Sequence, residues 1–286
     1  MTNRHRPLHG LGSRILVAAF DGWNDAGEAA TSALTALREA GSYEKVWSVD
    51  PELYFDYQYT RPAISYGATG ERTLTWPGAS LWRPVGAATP EVWLLSGTEP
   101  ARAWQGFASE IVDQALAADV TGFVTLGGMM SDVPHTRKVP VHASSDNADI
   151  RGESGFERSQ YEGPVGILSV LSLAMEKVGV PGLSLWASLP HYTAGQGPSP
   201  LGALALISAI GEITGTEPSH GSLEAEGRRW EAAVDAAVAE DEELAAYVSE
   251  LERARDEWDS PEATGDALAR EFERYLRRDG DGPQRP

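Results

Sequence analysis

Three polar loops hold the residues of this chain best suited to chemistry. The first reads Asp21-Gly22-Trp23-Asn24-Asp25, the second runs from Gly127-Gly128-Met129-Met130 to His135-Thr136-Arg137, and the third is Pro190-His191-Tyr192. An arginine in such a loop can hold an anion through its planar fork of donors, and a histidine can move a proton near neutral pH. Paired glycines let a backbone come close to a ligand or to a neighbouring chain. Plainer readings stand beside these. Asn24 or Asp25 serves as a helix cap with Trp23 covering a core edge, the glycines make a tight turn into a surface loop, and His191 is a hydrogen-bonded residue at the rim of the core.

Stronger chemical signatures do not occur in the sequence. There is no GxxxxGK[ST] phosphate loop, no GxGxxG after the first strand, no GxSxG elbow and no HExxH helix, and Gly67-Ala68-Thr69-Gly70 has no lysine to complete a phosphate loop. The histidines at 5, 9, 135, 142, 191 and 220 include no pair at helical metal-ligand spacing. With no cysteine, disulfides and thiolate chemistry are excluded. The residues therefore name no catalytic group, no metal and no cofactor, and they point away from an enzyme.

Each loop follows a segment that reads as a buried strand, and loops after the carboxyl ends of parallel strands form the ligand crevice of open α/β sheets. Apolar runs predict central strands at Ile15–Ala19, Val92–Leu95, Phe123–Leu126 and Leu183–Ala187. Helices are expected over about 26–40, 100–118, 165–178 and 200–213, the third opening on Pro164. A strand at Lys45–Val49 completes a βαβ unit with the first strand, short strands or a hairpin at the sheet edge fill 53–86, and a further strand covers Val139–Ala143. Together these make a three-layer α/β/α fold on a mostly parallel mixed sheet, spanning residues 10–220.

Beyond Gly221 the composition turns to Ala, Glu and Arg. A heptad counted from Trp230 places Ala233, Ala237, Glu240, Leu244, Tyr247, Leu251, Ala254 and Trp258 on one stripe and predicts one long amphipathic helix, with Glu240 as a polar intruder. Ser260-Pro261 restarts a second helix with Leu268, Phe272, Tyr275 and Leu276 on its apolar face, so residues 221–279 form a helical hairpin and 280–286 a flexible tail. The stripe, with Trp230, Leu244, Tyr247, Leu251 and Trp258 as its contact residues, predicts self-association, with burial against the parent domain as the plainer reading beside it.

The formal charge of -19 sets the surface against phosphate backbones and anionic lipids. Nucleic acid and membrane are thus excluded as partners, and no run approaches the roughly 20 apolar residues of a membrane span. The start, MTNRHRPLHG, has no apolar segment behind its basic residues, which with the missing cysteines fits a cytoplasmic protein.

Four segments in order, LVAAFDGWNDAGEAA, LGGMMSDVPHTRKVPVHASS, YEGPVGIL and SLWASLPHYTAGQGPSP, resemble the PAC2 (proteasome assembly chaperone 2) family in its actinobacterial form, across about residues 10–215. A chain with three lysines against abundant arginine fits the GC-rich coding of such a source. The resemblance implies a phosphorylase-like or hydrolase-like α/β/α fold and a non-enzymatic, homo-oligomeric assembly module whose partners are proteasome α subunits. It also implies a contact by a C-terminal hydrophobic-tyrosine-any-residue tail, which Gly282-Pro283-Gln284-Arg285-Pro286 does not supply. The alternative is a small-molecule binder or enzyme for an anion or nucleoside-like ligand. The crevice candidates are Asp21, Trp23, Asn24, Asp25, Gly127, Gly128, Met129, His135, Arg137, His191 and Tyr192.

Overall fold

A strand buried on both faces needs an unbroken apolar run, and Arg14–Phe20 (β1) is one in the computed structural model, which describes residues 7–67, 69–86 and 88–260. Because side chains alternate along a strand, Ile15, Val17 and Ala19 enter the core on one face, and Leu16, Ala18 and Phe20 enter the core on the other. α1 (Ala29–Ala40) and α6 (Pro200–Thr214) cover the first face, while α3 (Trp104–Ala117) and α5 (Ile167–Lys177) cover the second. The result is the expected three-layer sandwich.

The seven-stranded sheet has the order β2-β5-β6-β1-β7-β9-β8. At its centre, β6 (Glu91–Gly97), β1, β7 (Gly122–Ser131) and β9 (Gly182–Pro190) are mutually parallel, and these are the four strands that the apolar runs predict. β8 (Val141–Ser144) closes one edge antiparallel to β9. At the other edge β2 (Tyr43–Ser48) does not lie beside β1 as a simple βαβ unit requires. It pairs antiparallel with β5 (Ala79–Pro84), which is itself antiparallel to β6. The physical reason is composition: Tyr43-Glu44-Lys45-Val46-Trp47-Ser48 is largely exposed and cannot fill a position covered on both faces.

Between β2 and β5 the chain makes α2 (Pro51–Tyr54), a single turn capped by Asp50, and then a separate hairpin of β3 (Ala63–Tyr66) and β4 (Arg72–Thr75). Both hairpin strands are exposed along their whole length. α4 (Ala148–Ser154) follows β8, with Asn147 accepting the amides of Asp149 and Ile150 at 3.1 Å. α5 starts at Ile167 rather than at Pro164, because Glu99 from the β6 loop accepts the Ile167 amide at 2.8 Å and caps the helix there.

The predicted single helix through the heptad stripe is two helices, α7 (Leu223–Ala239) and α8 (Glu242–Asp259). Asp241 is extended and its carboxylate accepts the amides of Glu243 and Leu244 at 3.0 and 3.1 Å, so a new helix begins where the heptad count runs straight through. The hairpin thus forms within the stripe, and the expected second helix from Pro261 onward lies outside the described residues.

The paired glycines have an intramolecular cause. A Cβ at Gly127 would lie 2.6 Å from the Trp186 ring of β9, and one at Gly128 would lie 2.6 Å from the Ala26 carbonyl oxygen, in the loop that leaves β1. Gly128→Ala is expected to lower unfolding stability by about 1–3 kcal/mol through overpacking against rigid backbone. Gly152→Ala, on α4 with nothing within 4 Å of the added methyl, is the matched control and should be neutral or stabilising in the same denaturant titration.

Candidate functional site

The parallel strands deliver the three loops to one rim of the sheet, where they separate into two groups. In the first loop Asp21 turns toward β6: its carboxylate accepts the Glu99 amide at 3.0 Å and the Thr98 hydroxyl at 3.1 Å. The Asn24 carbonyl accepts the Gly128 amide at 2.8 Å. Asp25 is buried and reaches across a 3₁₀ turn to accept the Ala30 amide at 2.7 Å and the Thr31 hydroxyl. Burial raises its pKa. These are capping and loop-tying contacts, while Trp23 stands 62% exposed over them.

The second and third loops meet. Tyr192 accepts the His135 backbone amide at 2.8 Å, and its oxygen lies 2.7 Å from His135 Nδ1. The Asp235 carboxylate can only accept, so Nε2 carries the proton of the neutral ring and donates to it at 3.0 Å, and Nδ1 accepts the Tyr192 hydroxyl. His135 is 2% exposed, between Tyr192 and the Trp230 ring of α7. Burial pushes the Tyr192 hydroxyl up to about 12, and the Asp235–His135–Tyr192 chain ties α7 to the rim.

Arg137 is already occupied. Its Nε and Nη2 donate to the two carboxylate oxygens of Asp256 at 2.7 and 2.8 Å, a bidentate fork, and Nη1 donates to Glu252 at 3.3 Å. Thr136 donates its hydroxyl to the same Glu252. His191 Nδ1 lies 3.2 Å from Asp132, which also accepts the Tyr247 hydroxyl at 3.2 Å, and the rings of His191, Tyr192 and Tyr247 meet edge to face. Met129 is half-buried within β7.

Of the residues read as an open crevice, His135, Arg137 and Tyr192 are engaged by the chain's own α7 and α8, His191 stays exposed beside Tyr247, and Asp21 and Asp25 are tied to the β6 loop and α1. Four of the stripe residues, Trp230, Leu244, Tyr247 and Leu251, are half-buried, whereas Trp258 is 78% exposed. Asp235, Glu252 and Asp256 are the site residues that the motif search passes over. Their signal is the four-residue spacing of Glu252 and Asp256, which puts two carboxylates on one face of α8. Two surface clefts of about 410 and 690 Å³ lie elsewhere, one around Arg14, Glu91 and Trp93, the other around Leu204, Ile207, Glu212 and His220.

The PAC2 family model matches residues 19–238. A PAC2 family protein from Streptomyces avermitilis is 37% identical, with 82% of this chain and 99% of that chain covered and a TM-score of 0.75. The Mycobacterium tuberculosis proteasome-assembly chaperone homologue Rv2125 is 34% identical over 82% of this chain and 99% of its own, with a TM-score of 0.73. PbaB of Pyrococcus furiosus, an archaeal proteasome activator, is 14% identical over 82% of this chain and 97% of its own and shares the fold at a TM-score of 0.61. No curated protein matches. Among the described residues no helix is long and apolar enough to cross a membrane.

The fork makes the seating of α8 depend on pH. Hydrogen bonding from Arg137 holds Asp256 below its ordinary value, roughly 3.9. A carboxylate with a depressed folded-state pKa contributes fully above the unfolded value and loses that contribution as pH falls through the folded one. Acidification below the ordinary aspartate range is thus expected to lower the protection factors of residues 242–259 before those of α6, and Arg137→Gln should lower them severalfold at neutral pH and abolish the Asp256 step. Exchange measured by mass spectrometry across a pH series checks both.

Proposed function

The chain belongs to the PAC2 family, and from that premise we propose that it is a non-enzymatic, cytoplasmic protein-binding module of the assembly-chaperone type, acting as a homo-oligomer. One observation carries the reading: the β3–β4 hairpin holds an apolar face out into solvent. Ile64 pairs across the strands with Leu74, and Tyr66 with Arg72, so Ile64, Tyr66 and Leu74 share one face while Ala63, Ser65, Thr73 and Thr75 take the other. All three apolar residues are exposed, Tyr66 to 72%, and Trp76 continues the row, its ring 4.8 Å from that of Tyr57.

A two-stranded hairpin alone in water is marginally stable, and an ordered apolar face outside the core is the mark of a protein contact. Residues 57–80 carry only Arg61, Glu71 and Arg72, a nearly neutral patch on a chain of net charge -19, which removes the charge repulsion that would keep copies or acidic partners apart. The strand-end rim, by contrast, has its arginine and buried histidine satisfied by α7 and α8. The proteasome is the first partner to try, from the descriptions of the mycobacterial and archaeal relatives, and its α subunits are the ones the PAC2 resemblance implies.

The test combines light scattering with co-elution against purified proteasome α subunits, for the parent chain and for Tyr66→Lys/Leu74→Lys. The parent should self-associate and co-elute, and the variant should lose both while its melting temperature stays within a few degrees, since neither residue is in the core. A monomeric parent that ignores α subunits sinks the reading.

A further inference from the structure

α7 and α8 are held to the body by different means. α7 lies on α6, where Gly227 lets Leu201 approach so closely that a Cβ would meet it at 2.7 Å, and Leu223 and Val234 are buried beneath it. In α8 Val248 is the one buried residue. Leu244, Tyr247 and Leu251 are half-buried beside it, and the polar ties to the rim run from Tyr247 to Asp132, from Glu252 to Thr136 and Arg137, and from Asp256 to Arg137. Val248, Glu252 and Asp256 follow one another at four-residue steps and so form a single stripe on the helix.

We propose that α8 is a displaceable strap, and that the surface beneath it, formed by Thr136, Arg137, His191 and Tyr192, docks an acidic amphipathic helix of a protein partner. The idea rests on the protein-binding reading and gives the partner's chemistry. The incoming helix carries an apolar residue followed, at four-residue steps, by two carboxylates, with a hydrogen-bond donor just before the apolar residue to meet Asp132, the acid on this surface. Charge complementarity selects that occupant. Residues 133–144 hold the cations Arg137 and Lys138 and no acid, in a chain of net charge -19.

The intramolecular occupant is itself the template, since α8 meets Thr136 and Arg137 with carboxylates and fully buries only Val248. Elements held mainly by exposed polar contacts open locally at low free energy, which gives a competing helix access. α7 stays in place, because Asp235 remains on the buried His135.

The experiment uses the full chain and two labelled, hydrocarbon-stapled peptides. One carries residues 242–259 of this chain, and the other carries the same residues with Glu252→Gln and Asp256→Asn. Fluorescence anisotropy reads binding, and hydrogen exchange reads the state of α8 in the protein. The acidic peptide should bind saturably, speed exchange across 242–259, and outbind the amide peptide by roughly tenfold or more, as expected for close charge pairs. Arg137→Gln should erase the difference between the peptides. A full chain carrying Glu252→Gln/Asp256→Asn, its own strap loosened, should bind the acidic peptide more tightly than the parent does. Equal affinities for the two peptides, binding that leaves α8 exchange unchanged, or no binding by either protein overturns the proposal. No physiological partner enters the assay, so its failure leaves the hairpin reading standing, and failed co-elution leaves the strap untouched.

Discussion

Four central strands buried on both faces leave no room for polar groups except at their ends, and that constraint arranges the rest of the molecule. Thr125 shows its strictness: the one hydroxyl in the apolar middle of β7 is matched by Ser184 across the ladder at 2.8 Å. Every other reactive side chain of the sheet is pushed to the rim, where loops and capping helices must satisfy it. Asp21 is satisfied by the β6 loop, Asp25 by α1, His135 by α7 and Arg137 by α8. The rim that looks like a site for chemistry is the place where the fold closes on itself.

The same reasoning separates what the sequence discloses from what it hides. A strand covered on both faces has a composition, so the four central strands are legible residue by residue, and so is the pause at Gly41 that ends α1. Edge placement has no comparable signature. β2 is a good strand in isolation, and only its mixed exposure tells that β5 comes between it and the core of the sheet. The break at Asp241 is hidden for another reason: the heptad pattern continues through it, and one carboxylate capping two amides outweighs the pattern. For the candidate site the positions at strand ends are legible but their partners are not. Arg137 meets Asp256 across 119 residues, and no local pattern carries that pairing.

Net charge and local charge have opposite consequences in this chain. A total of -19 makes association with most cellular surfaces unfavourable, yet it also supplies the carboxylates that neutralise the basic stretch after β7. Arg137 is thereby spent internally, while the near-neutral hairpin remains outward. Specificity on such a surface comes from the few places where repulsion is absent, and the fold keeps these places separate, one on a projecting ribbon and one under a helix.

The strand order has a further consequence, for the ribosome-bound chain. β2, β5, β6 and β1 form one contiguous half of the sheet whose last residue is Gly97, whereas β7, the other neighbour of β1, begins only at Gly122 and cannot lie down until α3 has been made. During synthesis the half-sheet is therefore complete while β1 still presents an unpaired edge of Ile15, Leu16, Val17 and Ala18. That edge is apolar and lacks its β7 partner until the chain has grown past α3. A nascent chain of this design is most exposed to mispairing midway through translation, before the second half of its own sheet exists.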